Sequence, residues 1–210
     1  NTMKHLLLLI FLIPILTNAQ AESIENSDIV NVSIQNGLED SDLETLFDFE
    51  NINYSEFSFQ GESIKGKYFV IRMKEFSNGD LINTTTLFDE SGNDYFKIDS
   101  TQTSFKFLSK IGREDLKTWI RGNRFGSKKL YFPIDEDNGN YVAKDFFGAR
   151  KVLEKNINNP FYILAIITPN RNPDGWASYC RVAQSEIDPD NFGKEFNIPH
   201  YYLVEIEFTN

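Results

Sequence analysis

The 210-residue chain carries 31 acidic and 21 basic residues, a formal net charge of −10, and a single cysteine, Cys180. One cysteine cannot close an internal disulfide, so packing and hydrogen bonds must hold the fold. This charge balance supplies no global basic field of the kind nucleic-acid binding draws on, and no nucleic-acid partner is expected.

After Met3 and Lys4 comes an uncharged apolar run, Leu6 to Leu16. It reads as a secretory signal peptide over residues 1–21, with Ala19-Gln20-Ala21 as the small-x-small cleavage site and a cut after Ala19 nearly equivalent. At ~1.5 Å per helical residue the run covers about half of a ~30 Å hydrocarbon core, too little for a stable membrane span. No later stretch reaches that length, so the expectation is an exported protein, periplasmic or extracellular. Residues 22–210 suffice for one domain that buries roughly 70% of its extended-chain surface.

Residues 22–50 read as a partly ordered acidic leader ahead of a single domain over 51–210. Between Gln20 and Ile64 there are eleven acids and no lysine or arginine, whereas the rest of the chain is near neutral. Short apolar alternations, Ile29, Val32 and Ile34, then Leu43, Leu46 and Phe47, argue for partial pairing with the domain.

From Lys65 the apolar period becomes two, the pattern of strands with one buried face. Lys67 to Phe76 and Leu81 to Phe88 flank Asn78-Gly79, which supplies the two positive-φ residues of a tight hairpin turn. Tyr95 to Ile98 and Phe105 to Phe107 continue as strands. Arg113 to Arg121 breaks the period: Leu116, Trp119 and Ile120 fall at i, i+3 and i+4, and Arg113, Lys117 and Arg121 follow four apart. This spacing predicts a short amphipathic helix ended by Gly122. Eight bases lie between Lys106 and Lys129 against Glu114 and Asp115, so the acidic leader is expected to dock there.

Strands are predicted at Lys129 to Pro133 and Tyr141 to Phe147, and a helical turn at Ala149 to Lys155. Phe161 to Thr168 is apolar on both parities, as a strand covered on both faces should be. The stretch Pro169 to Gly175, with two prolines and Asp174-Gly175, has the punctuation of a connection. A strand is expected from Trp176, with Cys180 turned to the core, and the last strand spans Tyr201 to Phe208. Strands at this spacing with turns between them predict a mostly β chain, an antiparallel β-sandwich of jelly-roll type with one short amphipathic helix; a closed β-barrel is the alternative.

The chemistry is narrowed by what the chain lacks. A Gly-x-Ser-x-Gly motif and a phosphate-cradling Gly-rich loop are both missing, and two histidines and one cysteine are too few for the common zinc sites. Beyond the predicted signal peptide a thiol nucleophile and its base could be supplied by Cys180 and His200 alone. His200, after Pro199, is expected at the mouth of the last strand, bonded to backbone. Asp135 to Gly139 and Asp188 to Asn191 gather oxygen ligands without the spacing of a helix-loop-helix calcium site, so a structural calcium is the one cofactor considered and none is assigned. Glycosidase chemistry needs two carboxylates ~5 to 9.5 Å apart, and no pair stands out among the 31 acids.

Aromatic side chains beside polar ones at loop ends can stack on a sugar or peptide and hydrogen-bond to it. Asn170, Arg171, Asn172, Asp174 and Trp176, with Trp119 and Arg121, are therefore the candidate binding residues. The function expected is an exported, non-catalytic domain that recognises a glycan, a peptide or a cell-envelope partner through loops at one end of the sandwich. A secreted hydrolase using Cys180 and His200 or a carboxylate pair, and a structural subunit of the envelope, are the alternatives.

Overall fold

A computed structural model describes residues 28–134, 141–168, 170–171, 177–178, 182 and 185–210. The signal-peptide segment, the Asp135–Gly139 turn, and Asn172, Asp174, Trp176 and Cys180 lie outside the described residues. In chain order the elements are β1 (Ile29–Asn36), α1 (Ser41–Phe49), β2 (Ile52–Gln60), β3 (Tyr68–Ser77), β4 (Asp80–Asp89), β5 (Gln102–Ile111) and β6 (Asp115–Gly122). They continue with β7 (Leu130–Pro133), β8 (Val142–Asp145), β9 (Val152–Asn156), β10 (Phe161–Ile167), β11 (Asn170–Arg171), β12 (Ala177–Ser178), α2 (Phe192–Phe196) and β13 (His200–Thr209).

The strands build two antiparallel sheets, not closed into a barrel. A six-stranded sheet runs β7-β6-β5-β2-β1-β9 and a five-stranded sheet β4-β3-β13-β10-β8, with β11 and β12 pairing separately. Strict alternation drives the packing. Phe57 and Phe59 of β2, Phe105 and Phe107 of β5, and Leu116 and Ile120 of β6 point inward from one sheet. Ile71 and Met73 of β3 meet them from the other, with Tyr202, Val204, Ile206 and Phe208 of β13. Phenylalanine rings dominate this core: Phe59 stacks on Phe105 at 5.6 Å and meets Phe208 edge-on at 5.7 Å. Each such buried ring contributes roughly 1.5 to 3 kcal/mol relative to an exposed one.

β10 and β13 are covered on their other face as well. Ala165, Ile167, Tyr201 and Leu203 pack with Phe76 and with Phe192, Phe196 and Ile198 of the α2 region, so the expected two-faced strand forms at Phe161–Ile167. The predicted hairpin is present too, with Asn78 at φ 51° and Gly79 at φ 83°. Gly79 is further constrained by α2, because a Cβ on Gly193 would stand 2.5 Å from the Gly79 Cα.

Several sequence expectations are corrected. Arg113 to Arg121 is not a helix: Asp115–Gly122 is strand β6, with Leu116, Thr118 and Ile120 buried and Lys117, Trp119 and Arg121 on the solvent side. Ala149 to Lys155 is no helical turn either, since Val152–Asn156 forms β9 at a sheet edge. Asp94–Phe96 is a 3₁₀ turn rather than the start of a strand. The sheet pattern begins well before Lys65, because β2 pairs along its whole length with β5. The leader contributes an internal strand, β1, held between β2 and β9. Among the described residues, the short α-helices α1 and α2 form at positions the periodicity did not indicate.

Candidate functional site

The outer face of the six-stranded sheet gathers two of the sequence-predicted residues, Trp119 and Arg121. Register places Trp119 opposite Leu108, and Leu108 opposite Tyr54. These three side chains form a row across three strands, spanning about 10 Å at ~4.8 Å per strand. On one side, Lys110 and Lys117 face each other directly, with Tyr131 beyond Lys117; on the other, Lys106 faces Arg121. Each basic row is displaced by two residues, about 7 Å, from the aromatic one. The lysines lie over the rings: Lys129 Nζ is 5.4 Å from the Trp119 centroid, Lys117 5.8 Å from Tyr131, and Lys106 5.9 Å from Tyr54.

Like charges directly opposite on a sheet face are unfavourable, by a few tenths to about 1 kcal/mol per pair. Two such pairs lie on this patch, each with an acid beside it: Glu56 faces Lys106 from β2, and Glu50 reaches Lys110. Of these five bases, Lys110 is the one ion-paired among the described residues, to Glu50. The Trp119 indole is fixed from below, its Nε1 donating to the Ser127 carbonyl at 3.2 Å. Two shallow hollows flank the row, about 180 Å³ beside Trp119 and Leu108 and about 240 Å³ between Lys106 and Arg121.

Asn172, Asp174 and Trp176 lie outside the described residues, so the described part of the predicted set is Asn170, Arg171, Trp119 and Arg121. Asn170 and Arg171 form β11, which follows β10 of the opposite sheet and pairs with β12, so Trp119 and Arg121 belong to a different surface. At the end of the sandwich carrying Thr168, a cleft of about 590 Å³ opens between Phe49 and Glu50 at the end of α1, Gly112-Arg113, and Tyr141-Val142.

A larger cleft, about 850 Å³, lies where the β8-to-β9 crossover rounds the edge of the five-stranded sheet. Tyr162 sits in it, donating its hydroxyl proton to Asp190 and accepting from Lys74 Nζ at 2.9 Å. Lys74 also pairs with Glu205 at 2.5 Å, and Arg72 bridges Glu205 and Glu207. Burial, then the bond to Asp190, holds the Tyr162 hydroxyl well above the ordinary tyrosine range. Sequence reading did not find this cleft, because its walls come from segments far apart in the chain.

His200 is buried at 4% exposure, with both ring nitrogens engaged. Nδ1 lies 2.7 Å from the Tyr141 hydroxyl and Nε2 3.0 Å from Glu75 Oε1, while the Tyr202 hydroxyl donates to the same oxygen at 3.1 Å. The expected backbone partner is thus replaced by a carboxylate and a phenol. Asp188 accepts from the Asp190 amide, the ordinary capping of a turn. Among the described residues, no group of three or more His, Cys, Asp or Glu side chains is placed to hold a metal ion, and no helix is long and apolar enough to cross a membrane.

Comparison with protein-family models, with characterised proteins and with solved structures finds no match to this chain.

Proposed function

We propose that this chain is an exported, non-catalytic binding domain of the cell envelope, and that the outer face of its six-stranded sheet receives an acidic glycan. The observation that carries this reading is the row Trp119–Leu108–Tyr54, flanked along Trp119 and Leu108 by bases on both sides, with Glu56 beside Tyr54. Sugar rings stack on aromatic faces, and carboxylates or sulfates emerging at both edges of such a chain meet Lys110 and Lys117 on one flank and Lys106 and Arg121 on the other. A single nucleic-acid strand fits less well, because its phosphates run along one side of its bases. Export rests on the Met3 to Ala21 pattern. The engagement of both His200 nitrogens supports the non-catalytic reading over a thiol hydrolase.

The test is affinity electrophoresis and calorimetry of the full chain against polyuronate, sulfated and neutral polysaccharides. Binding to the acidic polymers is expected, weakening at high salt, and falling at least tenfold in Trp119→Ala and in Lys117→Glu. If no polysaccharide binds, or if single-stranded DNA binds more tightly than any, the acidic-glycan reading fails.

A further inference from the structure

The 850 Å³ cleft lies where the edge of the five-stranded sheet meets β9 of the six-stranded one, and side chains of both charges line it. Lys155 and Arg150 line it from the β8-to-β9 side and Asp188 and Asp190 from the turn before α2, with Lys74, Glu186 and Glu205 also in the lining. Lys155 reaches in from β9 at the sheet edge, half-buried, with its ammonium 5.8 Å from the Phe161 ring centroid. Arg150 is steadied by the crossover itself, donating from Nε to the Phe147 carbonyl at 3.3 Å and from a terminal nitrogen to the Phe146 carbonyl at 3.2 Å. Neither cation has an ion-pair partner among the described residues, although acids are plentiful in this chain.

Two neighbouring cations, one of them partly removed from water, are an unfavourable arrangement on their own. Burial, and then the charge of Arg150, hold the Lys155 ammonium below the ordinary lysine range. An anion between the two would relieve both effects. Across the cleft the acids are differently placed. Asp190 holds Tyr162, and Asp188 caps the turn through one oxygen, which leaves carboxylate density facing the opening. Phe146, Phe161 and Ile187 supply apolar surface in the lining, beside Tyr162 and the Lys74–Glu205 ion pair. The volume lies within the ~300 to 1,000 Å³ typical of small-molecule sites.

We infer that this cleft is a site for a small zwitterion, a short peptide or amino acid whose carboxylate is held by Lys155 and Arg150 and whose ammonium faces Asp188 and Asp190. An apolar side chain of the ligand fills the space between these two pairs. The site is independent of the glycan face: it uses other residues, and of the six-stranded sheet only the edge strand β9.

Calorimetric titration of the full chain with alanyl-phenylalanine, its N-acetyl derivative and its C-terminal amide tests the assignment. The free dipeptide is expected to bind, and each blocked form to bind at least tenfold more weakly. Lys155→Met should abolish the discrimination against the amide, and Asp188→Asn should reduce the discrimination against the N-acetyl form. Both variants should keep the melting transition and the polysaccharide binding of the parent chain. Absence of binding by the free dipeptide at millimolar concentration overturns the inference. So does equal binding of the three compounds, or undiminished discrimination in Lys155→Met.

Discussion

At the scale of single residues, polar groups inside this sandwich act as units. Glu75 and His200 are both nearly sealed from water and satisfy each other, with Tyr141 and Tyr202 completing the set. Removing one partner strands the other in a medium that solvates charge poorly, so His200→Ala should cost about 3 to 5 kcal/mol. The combined Glu75→Leu, His200→Leu variant should cost less than the sum of the two single changes. Urea denaturation of the four proteins checks this; simple additivity would show that the pair is not coupled. The two tyrosines bonded to Asp190 give a pH signature. Burial pushes Tyr201 up to about 12, and burial with Asp190 raises Tyr162 further. A raised folded value means that their contribution to stability is present below the unfolded value near ~10 and is lost as pH climbs through the folded one. In an alkaline titration these hydroxyls should ionise together with loss of the circular dichroism signal. Tyrosinate absorbance that reaches all nine tyrosines with the fold intact would contradict it.

At the scale of elements, β6 is the instructive case. Its buried parity is Leu116, Thr118, Ile120, a plain strand pattern, but the solvent-side position 119 carries tryptophan instead of a polar residue. That one substitution of type makes 116, 119 and 120 look like a helical face. The strand assignment predicts that Ile120→Ala, deep in the core, costs about 2 to 5 kcal/mol. Trp119→Ala should cost far less stability while weakening glycan binding. Thermal melts of the two variants decide the matter, and equal losses would favour the helical reading. The hairpin turn makes a second claim at this scale. Gly193→Ala would drive a methyl group to 2.5 Å from the Gly79 Cα and 2.7 Å from its nitrogen, where backbone cannot step aside freely. A loss of about 1 to 3 kcal/mol is expected, as for other overpacked contacts, and an unchanged denaturation midpoint would show that α2 can move off the turn.

At the scale of the whole molecule, the acidic segment belongs to the fold. β1 closes the six-stranded sheet between β2 and β9, and it places Val30 and Val32 in the core at 0% and 1% exposure. A chain starting at Asn51 would leave two long edges unpaired, a template for association. Such a truncation should show no cooperative melting transition and should associate on a sizing column; a monomer melting within a few degrees of the parent would refute the prediction. The acids of this segment do not simply dock on the basic stretch as a tail. Glu50 reaches Lys110, while strand pairing does the rest.

What the sequence determined by itself is whatever depends on neighbours along the chain. The period-two apolar pattern gave the sandwich class, Asn78-Gly79 the hairpin turn, and the double-sided apolarity of residues 161–168 a strand covered on both faces. The same local reading placed Trp119 and Arg121 among binding candidates beside Asn170 and Arg171, which the fold puts on a separate two-stranded sheet. Tertiary structure alone decided which strands are adjacent. Adjacency set Lys110 against Lys117 and Lys106 against Arg121, brought Glu75 to His200 across 125 positions, and gathered Lys155, Arg150, Asp188 and Asp190 around one cleft. The physical reason is that alternation fixes which face of a strand is buried, whereas partner choice comes from packing two sheets as a whole. Charge pairs and clefts are properties of that partner choice.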